Sequence, residues 1–236
     1  MFILPAGIKR KSIFWRRRMK EGRCFLGMMI ILVQAVAIST SCASVPTNTE
    51  QRATEQQSRG GTVIVWTPEV LLEQGIDAFN NGNFDLAIEK YTEAIRMAIE
   101  LGDNNYAVGY VNRGNAYIQK GEYDKSIDEY NIAIRLDPYY FLAYFNRGLV
   151  YRQLSRLHEA IKDFSQTIEI EPSFIHAYFE RGRIYFDFVI SNDKDDLEQI
   201  IKNWETVLLL DPNFYRAPFI KQNLEIVRNE LELLGN

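Results

Sequence analysis

Beyond residue 42 the chain has no cysteine; Cys24 and Cys42, its only two, both precede that point. The body therefore has neither a disulfide framework nor a cysteine nucleophile. Histidine is as scarce, with only His158 and His176 and no acid at a fixed spacing from either. There is no glycine-rich phosphate loop, no HExxH and no CxxC. Positive charge is also short in the body. Residues 1–42 take eight of the 27 Lys and Arg and one of the 31 acids, leaving 19 basic against 30 acidic residues, a net charge of −11. A body so charged repels phosphate backbones, so nucleic acid is not an expected partner. Together these absences predict a protein that is not an enzyme and needs no cofactor and no metal. The one loop with clustered acids, Asp193 to Asp196, lacks the mid-loop glycine a calcium loop wants, since no glycine lies between residues 183 and 234.

The first 42 residues have a different pattern. A basic stretch ends at Arg23, Phe25 to Ile38 is apolar apart from Gln34, and Ser39-Thr40-Ser41-Cys42-Ala43-Ser44 is all small. That order describes a secretory signal, with Met19 opening a conventional short basic region. The apolar core is shorter than the roughly 20 residues a bilayer-spanning helix needs. A lone cysteine after small residues resembles the lipobox of bacterial lipoproteins, although Ser39 stands where that family usually has Leu or Val. The resemblance implies lipidation of Cys42; plain cleavage near Ala43 and an uncleaved signal anchor are the other two readings. Each makes the protein exported, and the lipid or signal anchor holds it to a membrane on the periplasmic or extracellular side.

Residues 43–66 are expected to be a flexible tether. Residues 44–61 are polar with few large apolar side chains, too little to offset chain entropy. As a coil they would reach on the order of 20–25 Å. Thr62 to Trp66 (TVIVW) then reads as an edge strand, a partner-binding strip, or an extended segment packed on the first helices of the body.

What the rest has in abundance is repetition. Tyr110-Val-Asn112-Arg113-Gly114-Asn-Ala-Tyr117 recurs as Tyr144-Phe-Asn146-Arg147-Gly148-Leu-Val-Tyr151 and again as Tyr178-Phe-Glu180-Arg181-Gly182-Arg-Ile-Tyr185, with the glycines 34 residues apart. Asp137-Pro138, Glu171-Pro172 and Asp211-Pro212 close the copies. The period predicts an all-α stack of helical hairpins, a solenoid in which glycine allows close helix approach and proline stops the second helix. An earlier copy starts at Thr67-Pro68-Glu69, a good N-cap sequence, and turns at Asn81-Gly82-Asn83. From Gly75 to Gly114 is 39 residues, and from Pro172 to Pro212 is 40, so the first and fourth copies are stretched. Asp195 with Glu198 three residues on reads as a capping box for the last second helix. Ile220, Leu224, Val227, Leu231 and Leu234 form one apolar stripe on a terminal helix that restarts at Pro218, with Gly235 as a C-cap. That helix is expected to cap the solenoid, and its stripe would alternatively make a dimer seam and a homo-oligomer.

These residues resemble the tetratricopeptide repeat (TPR). The resemblance implies a right-handed α-solenoid of four hairpins, 68–101, 107–140, 141–174 and 175–214 with an insertion near 189–196, and a capping helix at 215–234. It implies a non-enzymatic adaptor of the bacterial cell envelope, holding a protein or an extended peptide in the concave face lined by the first helices. Carried over, the groove residues are Val111, Asn112, Asn115, Gln119, Phe145, Asn146, Leu149, Phe179, Glu180 and Arg183. The asparagines resemble the asparagine ladder of some peptide-binding members, an amide offering both donor and acceptors to a peptide backbone; solvated amides are the plainer reading. The lysines and arginine with which chaperone-binding members clamp a C-terminal carboxylate are missing, for example at Leu72 and Leu142. Glu180 in place of asparagine predicts an acid at the last repeat, unfavourable to an acidic segment. Arg113, Arg147 and Arg181 depart from the leucine common there and are expected to form exposed pairs, with Glu129 and Asp163 as candidate partners, so that Arg147→Leu would leave folding intact.

Overall fold

The computed structural model describes residues 66–187 and 193–235. The leader with Cys42, the tether, Thr62 to Val65 and the middle of the insertion lie outside the described residues. Among these residues are nine helices and no strand: α1 (Pro68–Asn80), α2 (Phe84–Glu100), α3 (Ala107–Gln119), α4 (Tyr123–Leu136), α5 (Phe141–Gln153), α6 (Leu157–Ile170), α7 (Ile175–Asp187), α8 (Lys194–Leu210) and α9 (Ala217–Gly235). Odd and even helices pair into four antiparallel hairpins, and each hairpin packs on the next, with α9 closing against α8.

Local chemistry starts and stops the helices. The Thr67 hydroxyl accepts from the Val70 amide at 3.3 Å, and Asn83 accepts from the Leu86 amide, each satisfying an otherwise orphaned donor. At α8 the cap is Asp193, whose carboxylate accepts from the Asp195 amide at 3.2 Å. The Asp195–Glu198 capping box expected from sequence is thus displaced by two residues, because the helix already begins at Lys194. The last helix begins at Ala217 and continues through Gly235, so Gly235 is inside the helix and not its cap. Between hairpins, Asp137 accepts from the Tyr139 amide at 2.9 Å, Glu171 from Ser173 at 3.2 Å and Asp211 from Asn213 at 2.9 Å. The acid before each proline therefore ties the turn while the proline ends the helix. Asp103 does the same for Asn105 at 3.0 Å without a proline. In the longer first connection, buried Tyr106 donates its hydroxyl to the Pro68 carbonyl at 3.1 Å, tying the second hairpin back to the first.

Each hairpin is built on a glycine facing an aromatic. A β-carbon on Gly114 would lie 2.8 Å from the Tyr130 ring, one on Gly148 2.8 Å from Phe164, and one on Gly182 2.6 Å from Trp204. Gly75 faces Tyr91 in the same way. These four rings are all buried, and the missing methyl is what lets them lie flat against the first helix. Neighbouring hairpins share core: Ala107 and Val111 of α3, Tyr130 and Ala133 of α4, and Ala143 and Val150 of α5 form one cluster. A second joins Phe145, Phe164, Ala177 and Ile184 across α5, α6 and α7. Successive first helices touch, α1 with α3 and α3 with α5, so they line the inner side of the stack.

The arginines of the repeated phrase are a buried inter-hairpin clamp. Arg113 donates to Glu129 of its own hairpin at 2.9 Å and to Thr92 of the preceding one at 3.0 Å. Arg147 bonds both oxygens of Asp163, at 2.8 and 2.7 Å, and also Asn131 of the preceding hairpin. Arg181 bonds Ser165 at 2.9 Å and, where the others have an acid, Asn203 at 3.0 Å. Tyr110, Tyr144 and Tyr178, three residues earlier, stack under the three guanidiniums. The acids foreseen as partners are the right ones. The expectation that the pairs are exposed is overturned: the Asp163 side chain is only 4% exposed and that of Glu129 11%. In the second and third hairpins the acid on the second helix lies against the first-helix glycine, Gly114 or Gly148, and the arginine also reaches the preceding hairpin.

Candidate peptide-binding groove

The inner face is laid out by α1, α3, α5 and α7, and its composition changes along the stack. Of the residues predicted to line it, Val111, Phe145 and Phe179 are buried. Val111 belongs to the α3–α5 core, Phe145 to the α5–α7 core, and Phe179 packs edge-on against Phe214 at 5.3 Å. Val111 and Phe145 hold hairpins together, Phe179 packs on the segment leading to α9, and all three offer a ligand little surface, which corrects their place in the predicted groove. Asn112, Asn115, Gln119, Asn146, Leu149, Glu180 and Arg183 are all partly exposed.

The structure brings the amides together in the middle of the face. The Tyr130 hydroxyl donates to Asn115 Oδ1 at 2.6 Å, and Asn146 Nδ2 donates to the same oxygen at 3.1 Å. Buried Tyr130, itself the ring under Gly114, thus fixes Asn115, and Asn115 fixes Asn146. What remains for a ligand is the Asn115 amide nitrogen and the Asn146 carbonyl oxygen, a donor and an acceptor on adjacent side chains. Asn112 and Gln119 make no side-chain hydrogen bond among the described residues and keep all their capacity. Leu149, half-buried beside Phe145 and Phe164, adds apolar surface.

At the α7 end the expectation of an unopposed acid fails. Glu180 is bonded by Arg152 of the preceding first helix, and Arg183 stands 3.9 Å away and pairs in turn with Asp187 at 3.3 Å. The charges balance, so this end carries no bar to an acidic segment. Arg152, although repeat register turns it toward the groove, is missing from the residues predicted for the site. Its signal was its groove-facing place in the third repeat, one hairpin before Glu180. His176 lies next to this network, with ring centroids 5.5 Å from Phe174 and Phe214 and 6.5 Å from Phe145. Burial among these rings holds its imidazole below the usual value, and the Glu180 carboxylate pulls the other way. At the opposite end, Glu69, Glu73 and Ile76 of α1 are exposed. No group of three or more His, Cys, Asp or Glu among the described residues could hold a metal ion. Chemically, the face can hydrogen-bond an extended backbone at its centre and accept side chains of either sign beside it.

Residues 114–155 match the sequence profile of the family described as TPR repeat, and residues 141–174 that of the tetratricopeptide repeat. The chain is 42% identical over 73 residues to the small glutamine-rich tetratricopeptide repeat-containing protein 2 of Saccharomyces cerevisiae, a match covering 31% of this chain and 20% of that protein. The match thus spans about a fifth of that relative's length. Among solved structures, that of MamA is 27% identical, with a TM-score of 0.52 over 63% of this chain and 81% of MamA. A tetratricopeptide repeat protein from Parabacteroides merdae is 20% identical, with a TM-score of 0.57 over 70% and 62% of the two chains, and shares the fold.

Proposed function

The chain is a tetratricopeptide-repeat protein, and from that premise we propose that it is a non-enzymatic adaptor of the bacterial cell envelope that holds an extended segment of a partner protein along its inner face. The observation that carries this is the amide row: Tyr130 orients Asn115, Asn115 orients Asn146, and both keep one hydrogen-bonding group unspent. Amides fixed in advance lose little freedom when a peptide backbone arrives, which is what makes such contacts favourable. The partner side chains meet Leu149 at the centre and a balanced ion-pair network at the α7 end.

The assignment to the envelope rests on the leader: a basic stretch, an apolar core and Cys42 after small residues. None of the described helices is long and apolar enough to cross a membrane, so attachment is assigned to the leader and, in the lipidated form, to Cys42. Metabolic labelling with a palmitate analogue tests this, and labelling unchanged in Cys42→Ala removes it.

Binding is tested by screening residues 66–236 against a display library of unstructured peptides. Peptides selected by the wild type should lose at least tenfold in affinity with Asn112→Ala or Asn146→Ala, and none with the outer-face variant Lys162→Ala. Equal affinities across the three would overturn the reading.

A further inference from the structure

The ring under each first-helix glycine is Tyr91, Tyr130, Phe164 or Trp204. The residue after each glycine belongs to the inner face: Ile76, Asn115, Leu149 and Arg183. Only in the second hairpin does a ring hydroxyl stand next to an amide. In the third, Phe164 and Leu149 share an apolar cluster. Tyr130 is wholly buried, and burial pushes its phenol well above the usual value, so the hydroxyl keeps its proton. A buried donor left without an acceptor is costly. The acceptor it has is Asn115 Oδ1, at 2.6 Å. Turning the Asn115 amide over would aim its NH2 at the hydroxyl and at Asn146 Nδ2, which now donates to that oxygen at 3.1 Å. The Tyr130 proton would lose its acceptor, and two donors would face each other. The order of the two outward groups is therefore fixed, with the donor, Asn115 Nδ2, on α3 and the acceptor, Asn146 Oδ1, on α5.

We propose that the buried Tyr130 hydroxyl sets the direction in which the bound segment lies, its N-terminal end toward α7 and its C-terminal end toward α1. The proposal rests on the reading of the groove given above. A residue of an extended chain presents its own N–H and C=O on one side as a closely spaced pair, as in the hydrogen-bonded pairs of an antiparallel sheet. Its N–H donates to the Asn146 oxygen on α5, and its C=O accepts from the Asn115 nitrogen on α3. Because N–H precedes C=O along the chain, the segment runs from α5 to α3, against the order of the hairpins. The residue held there is not proline, which has no N–H to give. Four first helices side by side, each about 10 Å across, are spanned by about twelve extended residues at about 3.3 Å each. Tyr130 touches no ligand; it is a positioning residue that acts through Asn115.

The test uses residues 66–236, which hold every core residue described, and peptides of that length selected from the display library. A nitroxide on the peptide N-terminus should broaden the amide signals of α7, and one on its C-terminus those of α1. The same peptide made with its sequence reversed places its side chains alike only by lying the other way, with N–H and C=O exchanged. It should bind the wild type about tenfold more weakly. Tyr130→Phe removes only the hydroxyl, and Phe164 shows that the fold accepts phenylalanine under the glycine. In that variant the Asn115 amide is free to turn over, so the ratio between the two peptides should fall toward one, whereas a merely structural role would weaken both peptides alike. Labels that place the peptide the other way round, or a ratio unchanged in Tyr130→Phe, overturn the proposal and leave the groove standing. If circular dichroism shows Tyr130→Phe unfolded, Tyr130→Phe/Asn115→Leu, which copies the Phe164–Leu149 pairing, takes its place, and a wild-type ratio there overturns the proposal equally. Failure of every library peptide to bind the wild type overturns the groove reading, and this proposal with it.

Discussion

Arg147 shows how much one side chain of the repeated phrase carries. Its guanidinium ends on both oxygens of Asp163, on Asn131 and over the Tyr144 and Tyr151 rings. Replacing it with leucine leaves a buried carboxylate without its counter-charge, a loss of about 3–5 kcal/mol for a broken buried pair. Burial already pushes the Asp163 carboxyl up, and Arg147 acts against that rise. Without Arg147 the folded-state value climbs further above the unfolded one. An acid raised in this way binds more protons folded than unfolded, so its contribution to stability falls as pH rises through that window. Arg147→Leu should therefore be severely destabilised in urea at pH 7, and the deficit should shrink near pH 4. An equal deficit at both would rule out the unpaired carboxylate as its cause. His176 has the opposite sign. Its folded value lies below the usual 6.5 because of burial, so the unfolded chain binds more protons just below that pH. Stability from this group is complete above 6.5 and is lost on acidification toward the folded value. His176→Gln should be less sensitive than wild type to a shift from pH 7 to 5, as measured by urea midpoints; parallel profiles would count against it.

Among the elements, the turns inside the hairpins differ in a way that sets their relative stability. Gly82 and Gly121 take φ of 76° and 75°, while the third copy places Ser155 at 58°. A side chain in that region costs roughly 1–2 kcal/mol, partly offset because glycine loses more entropy on folding. Ser155→Gly should raise stability by about 0.5–1 kcal/mol, a shift of a few degrees in the thermal midpoint; no shift or a fall would mean the serine is held without strain. The hairpins themselves were legible in the sequence, because glycine, proline and the acid before it act on their own backbone. Thr67 could be placed as a cap for the same reason, whereas Asn83, read only as part of the turn, is shown as a cap by the structure. The clamp was only half legible. A spacing of 16 residues joins Arg113 to Glu129 and Arg147 to Asp163, but their burial depends on how the preceding hairpin lies over them, which no local pattern records. The groove suffered most. Val111, Phe145 and Phe179 share the register of groove residues, yet the first two turn into contacts between hairpins and Phe179 into a contact with the segment before α9; and Arg152 reaches Glu180 across 28 positions, a distance set by the twist of the stack.

At the scale of the whole molecule, each hairpin leans only on its neighbours, so stability is close to a sum of hairpin and interface contributions. The cap makes that testable. Helix α9 packs on α8, and Phe219 meets both Phe186 and Trp204 edge-on, at 6.2 and 5.6 Å. Trp204 is in turn the ring beneath Gly182. Ending the chain at residue 216 removes Ile220, Leu224 and Val227 together with Phe219, and uncovers one side of the fourth hairpin. That hairpin is also the one whose clamp is weakest, since Arg181 meets Asn203 and Ser165 and no acid; burial holds its guanidinium below the usual arginine value. It should therefore open first. Amide hydrogen exchange on the truncated chain should show protection lost in α7 and α8 and kept in α3, α4 and α5, where Tyr130, Val111 and Val150 still share a core. The amide row on Asn112, Asn115 and Asn146 lies within that surviving part, so groove peptides should still bind, at an affinity reduced only by the missing α7 contacts. If protection is lost from all hairpins together, the solenoid is one cooperative unit, and the capping helix supports the groove itself instead of only the end of the stack.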